Sequence, residues 1–502
     1  MCEFYSHQND KMVNDKMVND KMNCLDLEPR EVFSEFYEIT RIPRPSKHEE
    51  KIGAYLAEWA KKHNLEYQTD KAGNVVIRKP ASNGYENKPG VILQAHQDMV
   101  CEKNGDVQHN FMTDPIETWV DGDWLKARGT TLGADDGIGI AMALAILASE
   151  KLKHPALECL FTVDEETGLT GAFALQEGML HGSTLINLDS EDDGEAFIGC
   201  AGGIDTVARF AAEYQPASSD SFAAKISVKG LIGGHSGDDI DKGRGNANKI
   251  LVRFLYQLSS STHLQLAFIH GGNLRNAIAR EAEATVVVPF EYKEQLRIDF
   301  NIFLAAIQNE LCNPEKELQM QLESAEIPNR VFSDNLTQRL IRALYACPHG
   351  VIRMSQDMKG LVETSTNLAS IKETDNGIVI ATSQRSSVES AKHDIKDMVS
   401  AVFELAGAEV THGEGYPGWK PDTKSHILDI TVEAYKKLFN AEPKVRAIHA
   451  GLECGLFLEK YPYLDMVSIG PGMVGVHSPQ EKLNIPSTQR CWQWLKEILS
   501  SL

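Results

Sequence analysis

The feature that most constrains this chain is a set of five short segments, rich in carboxylates or histidine, that stand at the ends of apolar runs. The segments are His96-Gln97-Asp98, Gly133-Ala134-Asp135-Asp136-Gly137, Asp164-Glu165-Glu166, Asp189 and Gly475-Val476-His477-Ser478-Pro479. They supply two imidazoles and several carboxylates, which suits two zinc ions and leaves one glutamate to act as a base. Two such ions about 3.5–4 Å apart can share a water and lower its pKa. The pattern therefore predicts metal-assisted hydrolysis.

Apolar runs that read as β-strands precede several of these segments. The runs are Val75-Val76-Ile77, Val91-Ile92-Leu93, Leu157 to Val163 and Leu185 to Leu188. They alternate with helical stretches, among them an Ala-rich run from Gly137, which predicts an α/β fold with a mostly parallel mixed sheet flanked by helices. A capping box at Ser46 to Glu49 predicts a helix to about His63. Since sites in such sheets lie beyond the carboxyl ends of the strands, we expect one shared site.

The chain is long enough for two domains. Residues 1–24 carry a tandem repeat of Asn-Asp-Lys-Met and are predicted to form a disordered tail. The strand and helix pattern changes after residue 205, which predicts an inserted α+β domain over 206–413. Because His477 has to meet His96, we expect a discontinuous catalytic domain made of 25–205 and 414–502.

Composition excludes several classes of partner. The formal net charge is -21, which disfavours nucleic acid and anionic membranes, and no apolar run reaches the roughly 20 residues of a membrane span. The nine cysteines include no C-x-x-C pair, so we expect reduced thiols in a cytoplasmic protein. The sequence thus predicts a cytoplasmic protein without nucleic-acid or membrane partners.

Each motif alone has an ordinary alternative. His96-x-Asp98 fits a surface turn, Asp164-Glu165-Glu166 fits a solvated charge run, and Asp135 fits a helix N-cap. A functional role would have Asp98 fix the His96 tautomer. Glu165 and Glu166 are predicted to lie at a strand end, where adjacent side chains point to opposite faces, so one could bind metal and the other the water. Gly199-x-x-Gly202-Gly203 lacks the order of a dinucleotide fingerprint, and neither a P-loop nor G-x-S-x-G is present.

Over residues 28–500 the chain resembles the cytosolic non-specific dipeptidases, also called aminoacyl-histidine, Xaa-His or β-alanyl-histidine dipeptidases, of the di-zinc aminoacylase and carboxypeptidase superfamily. The strings that carry this resemblance are Gln94 to Val100, Lys126 to Asp135, Gly199 to Asp205, Gly233 to Gly237 and His449 to Leu456.

The resemblance implies a role for each site residue. His96, Asp135 and Asp189 would hold one zinc, and Asp135 would bridge to a second zinc held by Glu166 and His477. Asp98 would orient His96, Glu165 would be the general base, and His235 would stabilise the oxyanion. The implied contacts to the substrate termini are Asn273, Arg385, His449 and Glu453. Co²⁺ or Mn²⁺ could replace Zn²⁺.

The same resemblance implies a dipeptide substrate and a homodimer formed through the inserted domain, which would act as a lid. Two positions depart from the family pattern. Asp136 stands where many relatives have Asn, in a turn that often carries a cis peptide, and Asp238-Asp239 replace Gly-Gly.

Three other activities are compatible with this scaffold: tripeptidase, aminoacylase and carboxypeptidase. A non-catalytic peptide-binding relative is a further alternative, although the five ligands and Glu165 are all present.

Overall fold

The structure is a computed structural model that describes residues 24–502. The predicted disordered tail, residues 1–24, lies outside the described residues except for Cys24. Among residues 24–502, no helix is both long enough and apolar enough to cross a membrane.

The described helices are α1 (Arg30–Thr40), α2 (Glu50–Lys62), α3 (Ala134–Ala148), α4 (Glu165–Gly168), α5 (Thr170–Ala174), α6 (Ala247–Ser261), α7 (Lys293–Glu310), α8 (Asp334–Ala346), α9 (Glu389–Leu405), α10 (His426–Phe439), α11 (Cys454–Lys460) and α12 (Ile485–Ser501).

The described strands are β1 (Glu66–Thr69), β2 (Val75–Lys79), β3 (Val91–His96), β4 (Thr118–Asp121), β5 (Trp124–Ala127), β6 (Leu157–Thr162), β7 (Thr184–Asn187), β8 (Glu195–Cys200), β9 (Gly202–Ala211), β10 (Tyr214–Pro216), β11 (Ser221–Lys229), β12 (Gln265–Gly271), β13 (Ala282–Pro289), β14 (Gln319–Ala325), β15 (Arg330–Phe332), β16 (Gly350–Met354), β17 (Val362–Thr374), β18 (Gly377–Ser386), β19 (Glu409–His412), β20 (Lys444–Ile448), β21 (Asp465–Ser468), β22 (Met473–Val474) and β23 (Lys482–Asn484).

The chain divides into two compact units. The described part of unit 1 comprises residues 24–198, Asp422–Ala447 and Leu456–Leu502. Unit 2 comprises Gly199–Pro421 and Ile448–Gly455. The sequence-based boundaries of 206 and 413 lie inside unit 2, and the return of Ile448–Gly455 to unit 2 has no counterpart in the prediction.

Unit 1 is built on an eight-stranded sheet in the order β1-β2-β6-β3-β7-β21-β8-β20. β3 pairs in parallel with β6 on one side and with β7 on the other, and β7 pairs in parallel with β21. All six residues of β3 are buried, as expected for a parallel strand covered on both faces. The predicted fold class is confirmed, and the carboxyl ends of β3, β6 and β7 lead into three of the polar segments.

Unit 2 contains a nine-stranded sheet with the path β14-β11-β13-β12-β17-β18-β9-β19 and with β16 paired to β17. Apolar residues of α6, α8 and α9 share one core with this sheet. In α8, Leu336, Leu340 and Leu344 are fully buried, because four-residue spacing places them on one helix face. Ser333 caps this helix by accepting the Leu336 N–H at 3.1 Å.

Two local predictions are wrong. Ser46 does not cap α2, whose N-cap is Glu49 without a side-chain cap, because the Ser46 hydroxyl donates instead to Asp98 Oδ2 at 2.8 Å. Glu165 and Glu166 do not continue a strand. They open the short helix α4, after Asp164 adopts a left-handed conformation with φ of 53°.

Candidate metal centre

His96, the last residue of β3, lies at the middle of a buried polar cluster. Its Nε2 is 3.0 Å from Asp135 Oδ1 and 3.4 Å from Asp189 Oδ1, and its Nδ1 is 3.3 Å from Asp98 Oδ1. Asp98 therefore contacts one ring nitrogen, and the other nitrogen faces two carboxylates. Burial opposes ionisation of Asp98, but hydrogen bonds from His96, the Glu165 N–H and Ser46 lower its pKa to about 2.

The structure brings all five predicted ligands together in two groups that share Asp135. His96, Asp135 and Asp189 form one group, and Asp135, Glu166 and His477 form the other. Within each group the possible ligand atoms lie within 4.8 Å of one another. His477 Nε2 is 3.1 Å from Asp135 Oδ2 and 2.9 Å from Glu166 Oε2. Each group could hold a metal ion.

The donor set fits a divalent cation. Glu166 Oε1 is buried and has no hydrogen-bond partner among the described residues, which is costly for a carboxylate without a cation. Burial, together with Asp135, raises the pKa of Asp189 to about 7. Hydrogen bonds to Asp135 and Glu166 raise the pKa of His477 to about 11. The carboxylates thus need compensating positive charge, and nitrogen and carboxylate oxygen are ligands that Zn²⁺ accepts.

Glu165 lies beside the two ligand groups that share Asp135, but it belongs to neither of them. Its possible ligand atom lies within 4.8 Å of those of His96 and Glu166. The N–H groups of Glu165 and Glu166 donate to Asp98 Oδ1 and Oδ2 at 3.0 and 3.2 Å. Asp98 therefore positions both the imidazole and the first turn of α4.

The turn before α3 contains the cis peptide bond Asp135–Asp136. Asp136 is fully buried and accepts hydrogen bonds from the N–H groups of His96 at 3.2 Å and Gly139 at 3.1 Å. Burial, followed by the charge of Asp189, raises its pKa well above the ordinary value. Asp136, which follows the shared ligand Asp135 in sequence, therefore also holds the backbone of His96.

A second polar cluster lies in unit 2 around Arg385. The Arg385 Nη1 donates to the Tyr416 hydroxyl at 2.9 Å, and its buried Nε has no hydrogen-bond partner among the described residues. Both residues line a cavity of about 350 Å³ together with Arg275 and Asn276. A guanidinium that lines a cavity suits a carboxylate ligand.

Two histidines belong to this second cluster. The N–H groups of Gly237 and Asp238 point at His235 Nδ1 at 3.3 and 3.2 Å, and Asp238 Oδ2 lies 3.4 Å from the same nitrogen, so these contacts engage Nδ1 and not Nε2. His449 Nε2 is 2.7 Å from the Ser365 hydroxyl oxygen. Burial, followed by the charge of Arg385, lowers the pKa of His449 to about 3.

Asn273 is not brought to the Arg385 cavity. It lines a separate cavity of about 650 Å³, and its Oδ1 accepts a hydrogen bond from Lys372 at 3.2 Å. Asn276, three residues later, lines the Arg385 cavity instead. Glu453 is buried within unit 2.

Sequence reasoning missed several residues of these clusters. Glu191 is one of them, since burial and then the charges of Asp135 and Asp189 raise its pKa to about 8. Its position two residues after Asp189 is the sequence signal that could have identified it. Tyr416 and Asn276 had no such signal. Arg44 and Glu481 contact the backbone of ligand-bearing segments. Because a backbone group is present at every position, such contacts leave no recognisable pattern in the sequence.

The chain is similar to known proteins in sequence and in fold. The chain is 45% identical, over 478 residues, to the cytosol non-specific dipeptidase of Escherichia coli K12, covering 95% of this chain and 98% of that protein. The crystal structure of aminoacylhistidine dipeptidase from Vibrio alginolyticus matches with a TM-score of 0.91 and 44% identity, over 96% of this chain and 98% of that one.

A tripeptidase from Staphylococcus aureus shares the fold at 17% identity, with a TM-score of 0.55 over 95% of this chain and 98% of that one. Residues 92–501 match the peptidase family M20/M25/M40. From this match and the identity to the Escherichia coli protein, the chain belongs to peptidase family M20/M25/M40.

Proposed function

We propose that this protein is a two-metal dipeptidase that hydrolyses unblocked dipeptides, including those with a C-terminal histidine. The observation that carries the proposal is the pair of ligand groups sharing Asp135, with Glu165 beside them. The names of the relatives support it: one is a cytosol non-specific dipeptidase and the other an aminoacylhistidine dipeptidase.

We propose Zn²⁺ for both positions, because the donors are imidazole nitrogens and carboxylate oxygens. His96 and Asp189 would hold one ion, Glu166 and His477 the other, and Asp135 both. When bound, the two ions lower the pKa of a shared water and stabilise negative charge on the substrate carbonyl oxygen. Co²⁺ or Mn²⁺ could serve with the same donors.

Glu165 is the proposed general base. Its carboxylate lies within 4.8 Å of ligand atoms of His96 and Glu166, and its backbone is held by Asp98. It would accept the proton of the attacking water and then deliver it to the leaving amine. Asp98 would keep His96 oriented for its metal.

The second cluster would recognise the substrate. The Arg385 guanidinium would bind the C-terminal carboxylate of a dipeptide, in the cavity that Tyr416 and Asn276 also line. His235 would donate from Nε2 to the oxyanion as it forms. His449 and Glu453 are proposed as further contacts to the substrate. Asn273 is also proposed as a substrate contact, but it lines a different cavity from Arg385.

We also propose a cytoplasmic location and a homodimer formed through unit 2. The name of the Escherichia coli relative supports the location. The eight cysteines of residues 24–502 are all free, which agrees with a reducing compartment.

The test is hydrolysis of a peptide panel with metal content measured on the same sample. The panel contains unblocked dipeptides, the same dipeptides acetylated or amidated, tripeptides and N-acylated amino acids. We expect about two metals per chain, activity on unblocked dipeptides, loss of activity with chelator and recovery with zinc. Bound metal without dipeptide cleavage would leave the metal site standing and contradict the substrate class, and absence of metal binding would contradict the proposal entirely.

A further inference from the structure

Three of the five backbone segments that carry ligands of the metal centre are the end of β3 through Asp98, the turn Leu132–Asp135, and the loop from Gly475 to Glu481. We propose that Arg44 and Glu481 are positioning residues that hold these three segments at a fixed spacing and thereby set the metal affinity. The inference rests on the proposed function, since it assumes that the centre binds metal.

Glu481 holds the turn that carries the shared ligand. Its Oε2 accepts the N–H groups of Leu132 and Gly133 at 2.7 and 3.0 Å, and its Oε1 accepts those of Ala134 and Asp135 at 2.8 and 3.4 Å. Glu481 lies four residues after His477, so one side chain joins the His477 loop to the Asp135 turn.

Arg44 holds the same turn from the other side. Its Nη1 donates to the Gln97 carbonyl at 2.9 Å and to the Asp98 carbonyl, and its Nη2 donates to the Gly133 carbonyl. The planar guanidinium can reach two segments at once, which a lysine ammonium cannot do with the same geometry. Arg44 therefore joins the end of β3 to the turn that Glu481 also holds.

Both charged groups are removed from water, with exposures of 2% for Arg44 and 3% for Glu481. Burial lowers the pKa of Arg44, and the carboxylates of Asp98 and Glu481 oppose that shift. Burying an ion is strongly unfavourable unless its hydrogen bonds are satisfied. The bonds that satisfy these two ions go to the backbone of the ligand-bearing segments.

Two glycines near Asp135 leave space for the Arg44 guanidinium. Gly133 adopts φ of 67°, and a Cβ there would lie 2.7 Å from Arg44 Nη2; a Cβ on Gly137 would lie at the same distance. A side chain at either position would displace the guanidinium. The glycines that flank Asp135 in sequence are thus also the residues that leave room for Arg44.

The test is zinc affinity, measured by competition with a chromogenic chelator on the full chain, without reference to turnover. The variants are Glu481→Gln, which places an amide N–H against backbone N–H donors, and Arg44→Lys, which keeps the charge. Matched controls are Glu158→Gln and Arg78→Lys. Glu158 is a buried carboxylate of unit 1 that accepts the N–H groups of His181 and Gly182 at 2.7 and 2.8 Å, and it also pairs with Arg78.

We expect each test variant to weaken zinc binding by about 10- to 100-fold, while each control stays within about twofold of the parent. Metal-free thermal midpoints should fall equally in test and control variants. Test variants that bind zinc as tightly as their controls would overturn the proposal, and so would test variants that cannot be recovered folded when the controls can. Failure of the parent chain itself to bind zinc would instead contradict the proposed function.

Discussion

The two polar clusters, one in each unit, impose opposite protonation on histidine. In unit 1, His477 is paired with Asp135 and Glu166, and its pKa rises to about 11. In unit 2, burial and the charge of Arg385 lower the pKa of His449 to about 3. Without bound metal, the imidazole is therefore cationic among surplus carboxylates, whereas it is neutral beside a guanidinium.

The difference teaches what each cluster can bind. A surplus of buried carboxylates requires cations, whether protons or metal ions, and that describes the centre around Asp135. A buried guanidinium that lines a cavity suits an anion, and that describes the Arg385 cavity. A dipeptide has a carbonyl that a metal can polarise and a carboxylate that an arginine can bind, and each cluster offers one of these two kinds of contact.

The largest effect on turnover is expected for Glu165→Ala, which tests whether Glu165 acts as the base and not as a metal ligand of the unit 1 cluster. Turnover should fall by about 100- to 10,000-fold with metal content unchanged, because Glu165 is not one of the ligands that share Asp135. Glu166→Ala is the matched contrast and should lose metal and activity together. Metal content and kcat measured on both variants check this, and substantial turnover by Glu165→Ala would remove its assignment as the base.

His235→Ala tests whether the unit 2 cluster acts on the reacting carbonyl or only on binding. We expect kcat to fall by about 100- to 1,000-fold with metal content unchanged, since the Nε2–H donor of the His235 imidazole would be lost. Asp238→Asn keeps the imidazole and should change kcat much less. Steady-state kinetics separate the two roles, and a change confined to KM would assign His235 to binding alone.

Arg385→Lys tests the anion-binding half of the comparison. Loss of the planar fork should raise KM for unblocked dipeptides by about 10- to 100-fold and leave kcat nearly unchanged. Arg275→Lys is the control, because Arg275 lines the same cavity but is 57% exposed and already paired with Asp205 at 2.9 Å. With C-terminally amidated dipeptides, parent and Arg385→Lys should become equally poor. If the variant remains worse on amides, Arg385 does not bind the carboxylate.

The smallest effect is on stability rather than turnover and concerns His449. Its folded pKa of about 3 lies below the ordinary value of about 6.5, so the folded state disfavours the protonated ring. The stabilising contribution is complete above pH 6.5 and is lost as pH falls toward 3. Between pH 7.5 and pH 5 the loss is about 2 kcal/mol. Urea unfolding at both pH values should show a smaller acid effect in His449→Gln, and equal acid sensitivity would contradict the shift.

The sequence indicates three of the ligand segments because each of these three follows an apolar strand. A buried strand such as β3 has a local signature, and the direction of parallel strands then places His96 and Asp189 at one edge of the sheet. The prediction failed where contacts are distant in sequence. Ser46 looks like a helix cap, but its partner is Asp98, and no pattern near residue 46 encodes that choice.

Residues that act on the backbone were also invisible in the sequence. Glu481 accepts N–H groups from Leu132 to Asp135, and backbone amides are present at every position, so their identity carries no information. The position of Asn276 in the Arg385 cavity, where Asn273 had been expected, has the same cause: both lie in one loop between β12 and β13, and only its folded path distinguishes them.

The place of β21 in the sheet has a consequence for synthesis. β21 lies between β7 and β8, yet it is translated only after unit 2 has passed through the ribosome up to Pro421. At about 5–20 residues per second, β7 is made some tens of seconds before its parallel neighbour. During that interval the nascent chain carries the carboxylates of three ligand segments without His477. The growing polypeptide can therefore assemble only one of the two ligand groups before its last strands emerge.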